Sequence, residues 1–433
     1  MKKILIPAFF LLFPVMTVFS QSLLTVEDAV NTALKNNYDI LVAHNDADIA
    51  KINNTLGNAG ILPSVFATGT DNYSITNSHQ ELASGLIKES SSVPSNALNA
   101  ALALNWTLFD GGKMFITKNK LNEIEKLGEI QFKDKVQQSV YDVIIAYYDV
   151  VNQKQQLLAI KEVISFNQER VKILQKSFDA GLSPKTDILQ AKIDLNVNLE
   201  VEVNQEHNII TAKRTLNQLL SRDPDILFEV EDSIPFNYTP DRKDLLQKLS
   251  ANNTSIQSYQ KQLRIADLTV GENKSFYYPR LTFSGGYNFL LSNNSASTTV
   301  ILSRGYGPLI GGVLSIPLYQ SGNVRREVNT AKIQLQSAEY ELENIKLIMG
   351  SQLMNALTDF ENQQQMLKIE KDNLSLAKEN LMISLERMRL GQTTSLEVHQ
   401  AQESYAASLG RFNVFEYNLK AAETKLKQLI AAL

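Results

Sequence analysis

The chain has 433 residues, no cysteine and a formal net charge of −4. That length allows two or three globular domains or one large elongated domain. The missing cysteines exclude disulfides, thiolate metal sites, cysteine nucleophiles and the acylated cysteine that anchors bacterial lipoproteins. No basic tract stands out, so nucleic acid is not expected as a partner.

Residues 1–20 predict a secretory signal peptide. Lys2 and Lys3 precede an apolar stretch that runs to about Phe19, and Val18 and Ser20 fit the two ends of a cleavage triplet. No later stretch approaches the roughly 18 to 20 apolar residues of a membrane-spanning helix. A mature chain that enters a membrane is therefore expected to enter it as strands.

An internal repeat runs through the remaining sequence. The matched segments are NNYDI at 36–40 with NNTSI at 252–256, LFDGG at 108–112 with LYQSG at 318–322, and LNQLL at 216–220 with LKQLI at 426–430. The first pair is 216 residues apart and the other two pairs are 210 apart. These offsets predict two copies of one plan, 21–222 and 241–433, joined by a linker over 223–240.

Each copy contains two stretches in which apolar and polar residues alternate. A period of two predicts strands with one apolar face, at about 62–76, 96–109, 279–292 and 305–319. Each pair is expected to form a hairpin, closed by a polar loop at about 77–95 or 294–304. Such lengths suit a tilted membrane strand, although the edge of a soluble sandwich alternates in the same way.

Helices are predicted for the rest of each copy. Two long segments without proline have apolar residues at three- and four-residue spacing, and each is expected to be on the order of 100 Å long. Since no compact domain has a core of that length, coiled-coil-type packing is expected. The long helices lie at about 112–178 and 322–390, their return helices at about 184–220 and 394–431, and shorter helices at about 25–58 and 241–275.

A glycine turn joins the long helix to the return helix in both copies. FDAGLSPKTDILQA at 178–191 aligns with MRLGQTTSLEVHQA at 388–401, and each has a carboxylate, Asp187 or Glu397, six residues after its glycine. Both carboxylates fall in the first turn of a helix, where the helix dipole favours them. The segment TSLE ending at Glu397 is also a capping-box pattern. Capping and gating therefore remain alternatives for both residues.

Taken in order and with their doubled spacing, these motifs resemble the TolC family of outer membrane factors. The resemblance covers the mature chain and rests on LTVEDAVNTALKNNYDI, on Leu62-Pro63 before the first strand, on LFDGG and on the two glycine turns. It implies a mixed α/β membrane protein with a long antiparallel coiled-coil α-helical barrel and four transmembrane β-strands per chain. Four strands cannot close a barrel, and the family implies a homotrimer that closes a twelve-stranded one.

The resemblance also implies a function and its partners. The expected protein is a passive duct in the cell outer membrane, with its helical tunnel in the periplasm, that meets a periplasmic adaptor and an inner membrane transporter of the RND or ABC type. Multidrug or metal efflux is the leading role; the exit duct of a type I protein secretion system is the alternative, and a soluble periplasmic coiled coil is a remote one. No cofactor, metal or enzymatic activity is expected, because the sequence has no catalytic triad or phosphate-loop pattern.

Site residues follow from the same resemblance. It places adaptor-contacting tips at Gly181, Leu182, Ser183, Gly391, Gln392 and Thr393, and a periplasmic gate at Asp187, Glu397, Gln400, Met388 and Thr393. In the family an Arg and a Tyr of the second-copy turn tie the gate shut. Thr393 and Met388 stand at those positions and cannot make these ties. Among four histidines without metal spacing, only His399 lies near a tip. Trp106, Phe109 and Tyr319 fit either an interfacial aromatic belt or simple packing.

Overall fold

The computed structural model describes residues 23–294 and 300–433. The predicted signal peptide, 1–20, lies outside these residues, and so does part of the predicted loop at 294–304. The elements in chain order are β1 (Leu23–Leu24), α1 (Val26–Asn36), α2 (Tyr38–Asn53), β2 (Ser64–Glu81), β3 (Ile87–Asp110), α3 (Lys113–Asp179), α4 (Lys185–Leu219), β4 (Glu229–Val230), α5 (Arg242–Asn252), α6 (Thr254–Ser275), β5 (Arg280–Asn294), β6 (Leu302–Ser315), α7 (Asn323–Arg389) and α8 (Ser395–Leu429).

One arrangement of elements occurs twice along the chain. Helices α3 and α7 each contain 67 residues, and their return helices α4 and α8 each contain 35. At a rise of about 1.5 Å per residue, each long helix is roughly 100 Å long. Within the described residues, no helix combines the length and the apolarity needed to cross a lipid bilayer.

Two buried asparagines divide the shorter helices that precede each hairpin. Asn37 separates α1 from α2, and Asn253 separates α5 from α6. The side-chain oxygen of each caps the helix that follows it. The side-chain amide of each donates to a carbonyl near the end of a return helix, Leu219 O at 2.8 Å or Leu429 O at 2.9 Å. In both copies, one asparagine therefore caps the start of a helix and also binds the end of the return helix.

An antiparallel sheet with the strand order β2–β3–β5–β6 joins the two copies. The apolar faces predicted from the alternation lie directly opposite one another in this register. Val65 of β2 is paired with Leu104 of β3, which is paired with Gly285 of β5, which is paired with Ile310 of β6. One face of the sheet is therefore continuous across all four strands.

The polar loop predicted over 77–95 was wrong. Strand β2 continues to Glu81 and β3 begins at Ile87, so the hairpin closes in a short turn. Cross-strand pairs such as His79 with Glu89, at 3.0 Å between Nδ1 and Oε1, accompany the extended pairing. Hydrophobic alternation does not reveal this ribbon, because both of its faces meet solvent and neither needs to be apolar.

The last strand is also displaced from its predicted bounds of 305–319. Strand β6 runs Leu302–Ser315. Pro317 follows it and has no backbone N–H for the ladder, so pairing ends before that residue. As a result Tyr319 lies in the connection to α7, where its side chain is 86% exposed.

The segment 223–240 between the copies packs against the first long helix. Within it, β4 pairs in parallel with β1. Phe228 and Val230 are buried in one cluster with Tyr147 of α3. The Tyr147 hydroxyl donates to Leu24 O at 3.0 Å. The linker and the start of the described chain thus cover the same part of α3.

The helices lie side by side in an order that leaves two lateral edges. Helix α3 packs against α2, α4, α6 and α8, whereas α7 packs chiefly against α6 and α8. One edge is therefore formed by α2 and α4, and the other by α7. The sheet has the corresponding edges, β2 and β6.

Candidate gate at the helical tips

The two glycine turns share one backbone geometry. Gly181 and Gly391 have φ angles of 76° and 71°, a region that favours glycine. The residue after each glycine donates its N–H five residues back, Leu182 to Ser177 O and Gln392 to Arg387 O, both at 2.8 Å. Each glycine N–H also donates three residues back, to Phe178 O or to Met388 O, which completes a Schellman motif. The repeat in the sequence therefore encodes one helix ending that is made twice.

The side chains at the tips differ between the two copies. Leu182 is 81% exposed at the first tip, while Gln392 is exposed at the second. Ser183 is half-buried and its hydroxyl donates to Leu174 O at 3.4 Å. Thr393 is also half-buried and donates to the Glu397 carboxylate. The first tip thus presents an apolar side chain and the second a polar one.

Asp187 and Glu397 hold equivalent positions but have different surroundings. Thr394 caps α8, since its Oγ1 accepts from the Glu397 N–H at 3.2 Å. Helix α4 begins after Pro184 without a side-chain cap. Within the described part of the chain, the Asp187 carboxylate accepts no hydrogen bond. Only half of the capping box forms, because the Glu397 carboxylate accepts from the Thr393 hydroxyl and not from the Thr394 N–H. The Asp187 carboxylate is left free.

Two further residues of the predicted gate differ in solvent exposure. Gln400 is exposed on α8. Met388, in contrast, is buried in an apolar cluster with Leu385 and Val398. Met388 therefore packs between α7 and α8 in the single chain.

The apolar cluster behind the tips draws on both helical hairpins. Its buried members come from α3, α4, α7 and α8: Val163, Ile173, Leu174, Ile188, Ala191, Leu381, Leu385, Met388, Val398, Ala401 and Tyr405. The rings of Phe166 and Tyr405 meet edge to face with centroids 5.8 Å apart. Burial and the neighbouring Glu162 carboxylate raise the pKa of Tyr405 well above its usual range.

A buried arginine, which the sequence interpretation missed, lies beside this cluster. Arg170 of α3 is 1% exposed. Its Nη1 donates to Asp194 Oδ2 at 2.8 Å and to Gln402 Oε1 at 3.3 Å, and its Nη2 donates to Ser395 Oγ at 3.0 Å and Ser395 O at 3.3 Å. His399 Nδ1 lies 3.3 Å from Asp194 Oδ2. We call these five residues the Arg170 cluster; it joins α3 and α4 of the first copy to α8 of the second.

A sequence signal for this arginine exists. Arg170 lies seven residues after Val163 and three before Ile173, and both of these are buried. Such spacing puts all three on one helix face. A charged residue on an apolar stripe of a long helix indicates a buried ion pair, since an isolated charge is too costly to bury.

Two more ion pairs cross between the copies on the outside of the hairpins. Glu162 Oε1 lies 2.8 Å from Lys378 Nζ, and Glu169 Oε1 lies 3.0 Å from Arg389 Nη2. Both pairs join α3 to α7 and are substantially exposed. Exposed pairs of this kind contribute about 0–1 kcal/mol each, so they fix the tips only weakly.

The predicted interfacial aromatics lie where the strands approach the helices. The Trp106 indole Nε1 donates to Ile61 O at 2.9 Å. Phe109 is exposed near the end of β3. Among the residues that the structure describes, no cluster of His, Cys, Asp or Glu has the arrangement of a metal site.

Comparison with solved structures identifies the fold. The outer membrane channel CmeC of Campylobacter jejuni has the same fold, with a TM-score of 0.76 over 94% of this chain and 85% of that chain, at 19% identity. The fold is therefore that of the outer membrane channels.

Sequence comparison then gives the family. The profile of the outer membrane efflux proteins matches residues 29–222 and 245–432, one segment in each copy. The chain belongs to this family, that of TolC, and is an outer membrane protein. The efflux protein BepC of Brucella suis is 23% identical over 310 residues, 71% of this chain and 66% of BepC. The probable efflux pump protein TtgC of Pseudomonas putida is 21% identical over 399 residues, 88% of this chain and 77% of TtgC.

Proposed function

We propose that three copies of this chain close into one tube that conducts drugs or metal ions passively out through the outer membrane. One observation carries this proposal. Elements of the first copy pack against elements of the second at three places, which we call joints: β3 pairs with β5, and α3 packs against α6 and α8. Among the described residues, the equivalent contacts from the second copy back to the first are missing: β6 does not pair with β2, and α7 does not pack against α2 or α4. A neighbouring chain supplies the missing partners.

The sheet needs such a neighbour on both sides. Strands β2 and β6 are its edges, and an open edge cannot persist in the hydrocarbon of a bilayer. By the internal repeat, β6 of one chain pairs with β2 of the next, as β3 pairs with β5. Three chains of four strands give a barrel of about twelve strands, wider than the small barrels whose side chains fill their interior.

Helix α7 has an apolar stripe that supports the same ring. Phe166 and Ile173 of α3 pack into the apolar cluster at the tip. Their equivalents 210 residues later, Leu376 and Ile383 of α7, are 64% and 52% exposed. An exposed stripe of this kind on a long helix indicates a missing partner. It runs at seven-residue steps through Ile369, Leu376 and Ile383 to Leu390, which directly follows α7.

The opposite edge of the chain has a complementary stripe on α4. Its exposed members are Leu189, Ile193, Val197, Val203 and Ile210. Leu189 and Val203 are the equivalents of His399 and Asn413 on α8, which faces α3 within the chain. In the ring, α7 of one copy packs on α4 of its neighbour as α3 packs on α8. Burial of both stripes is the apolar driving force for assembly.

The tips and the strand ends have separate partners in this assembly. The exposed Leu182 and the two glycine turns are surfaces for a periplasmic adaptor, behind which an inner membrane transporter of the RND or ABC type supplies the cargo. Trp106, Phe109 and Tyr319 contact lipid at the membrane interface, where aromatic side chains are favoured.

Assembly and conductance of the purified wild-type protein test the proposal. We expect a detergent-solubilised trimer that loses its compact form on heating, together with discrete ion conductance in planar bilayers. A stable monomer that conducts no ions would overturn the proposal.

Glu397 is proposed to form a ring of three carboxylates that attracts cations at the tunnel entrance. Glu397→Gln keeps an acceptor for the Thr393 hydroxyl but removes the charge, so we expect lower cation selectivity and weaker block by divalent cations. Asp187→Asn is the matched change in the first copy. Selectivity that stays unchanged in Glu397→Gln would leave Glu397 as a cap only.

A further inference from the structure

We infer that Arg170 is the positioning residue of the gate, holding α8 against α3 and α4 so that the tip stays closed. The inference rests on the proposed tube and names a residue that regulates it. Arg170 is anchored in the first copy by Asp194, and its other hydrogen-bond acceptors belong to the second copy. One side chain therefore spans both hairpins.

The contacts of Arg170 fix the rotation of α8 about its axis. Ser395, His399 and Gln402 are four and three residues apart, so they share one face of the helix. Glu397 lies two residues after Ser395, about 200° further round the helix. With the first face held by Arg170, Glu397 points away from α3. A rotation of α8 that moves Glu397 has to break the hydrogen bonds of Arg170.

The Arg170 cluster occurs once per chain, although the fold occurs twice. The equivalent of Arg170 in α7 is Asn380, and that of Asp194 in α8 is Ser404; both are exposed. Hence the fold of a hairpin does not require the cluster, because α7 and α8 form without it. The cluster belongs to the joint within the chain and is absent from the joint between chains.

Stability alone does not account for such a cluster. Well-packed apolar residues stabilise a buried site as well as an ion pair does, or better, because they avoid the loss of charge hydration. Two donors, Arg170 Nε and Gln402 Nε2, are also buried without an acceptor among the described residues. A polar cluster suits a joint that opens and recloses, since water satisfies its groups when the helices separate.

The test compares substitutions of two arginines in planar bilayers. Arg170→Gln is expected to raise the single-channel conductance of purified trimers severalfold. Arg389→Gln is the matched control, because Arg389 likewise joins the two copies, here α7 to α3, but through an exposed pair with Glu169. It is expected to leave the conductance at the wild-type value. Arg170→Lys keeps one charge but lacks the forked donors, so a smaller increase is expected.

A cross-link separates an opened tip from a misfolded one. The sequence contains no cysteine, so Glu169→Cys with Arg389→Cys introduces the only reactive pair. In the Arg170→Gln background, a short bismaleimide across this pair is expected to return the conductance towards the wild-type value. Wild-type conductance in Arg170→Gln, or an increase that the cross-link does not reverse, would overturn the inference. A wild-type protein that conducts nothing would instead overturn the proposed tube.

Discussion

The joint within the chain and the joint proposed between chains differ in their chemistry. Within the chain, α3 meets α8 through Arg170 and its polar partners. The equivalent stripe on α7, which is proposed to meet a neighbouring chain, is apolar and includes Leu376. A joint inside one chain is held together by covalent connection, so it can contain groups that separate readily. Separate chains have no such connection, so apolar burial has to provide the free energy of their association. Duplication thus fixes the architecture, while divergence decides how each joint behaves.

A charge on the joint between chains gives the largest expected effect. Leu376→Glu places a carboxylate where a neighbouring α4 is proposed to pack, and an unpaired buried charge costs several kcal/mol. We expect no trimer, measured by light scattering of the detergent-solubilised protein. Leu227→Glu is the control, because Leu227 is similarly exposed, at 70%, but lies in the linker between the copies.

A trimer that forms normally from Leu376→Glu would contradict the arrangement of chains proposed here. Equal loss of trimer in Leu376→Glu and Leu227→Glu would also contradict it, because the effect would then follow from any exposed leucine. Only a loss confined to Leu376 marks this stripe as the joint between chains.

The strand-to-helix junctions of the two copies provide the next comparison. Gly111 and its equivalent Ser321 both have positive φ, 74° and 52°. A Cβ on Gly111 would lie 2.4 Å from Ser275 O, whereas a Cβ on the adjacent Gly112 would meet nothing within 4 Å. We expect Gly111→Ala to lower the free energy of unfolding by roughly 3–5 kcal/mol, through clash and strain together. Gly112→Ala is expected to cost about 1–2 kcal/mol, from the backbone conformation alone.

Urea unfolding of the solubilised protein measures both glycine substitutions. Equal losses would mean that the close approach to Ser275 relaxes without cost, and that only the positive φ matters. Ser321 at the equivalent place shows that this turn accepts a side chain at positive φ.

Periodicity explains which parts of the fold were predictable. The alternation in the strands was visible because one face is apolar, and the register then joined those faces, as with Leu104 and Gly285. The ribbon between Thr76 and Ser95 was missed because it has no apolar face. Helix lengths followed from long segments without proline, and the turns followed from repeated glycines.

Residues that act through unusual burial were harder to predict. Arg170 was missed because a charged residue in one sequence is normally assigned to the surface. The second asparagine of NNYDI and of NNTSI is visible in the sequence as part of a repeat. Its hydrogen bond to a return helix depends on Leu219 or Leu429, which is distant in the chain. Such contacts between distant residues cannot be read from the sequence, because they depend on how the helices pack in the fold.

The smallest expected effect concerns a carboxylate on the second return helix. Glu416 of α8 is half-buried, whereas its equivalent Glu206 of α4 is exposed in the single chain. Burial raises the pKa of Glu416, and the charge of Lys371 only partly opposes that shift. A raised pKa in the folded state means that the protonated form stabilises the fold. This contribution is present at acid pH and is lost as the pH rises through the folded-state pKa.

Glu416→Gln should therefore raise the unfolding midpoint in urea at about pH 8, where the native carboxylate is ionised, and leave it nearly unchanged at about pH 4. The comparison of the two pH values within one variant is its own control, because a packing defect would act at both. A lower midpoint at the alkaline pH would show that the ionised carboxylate gains more from Lys371 than it loses by burial.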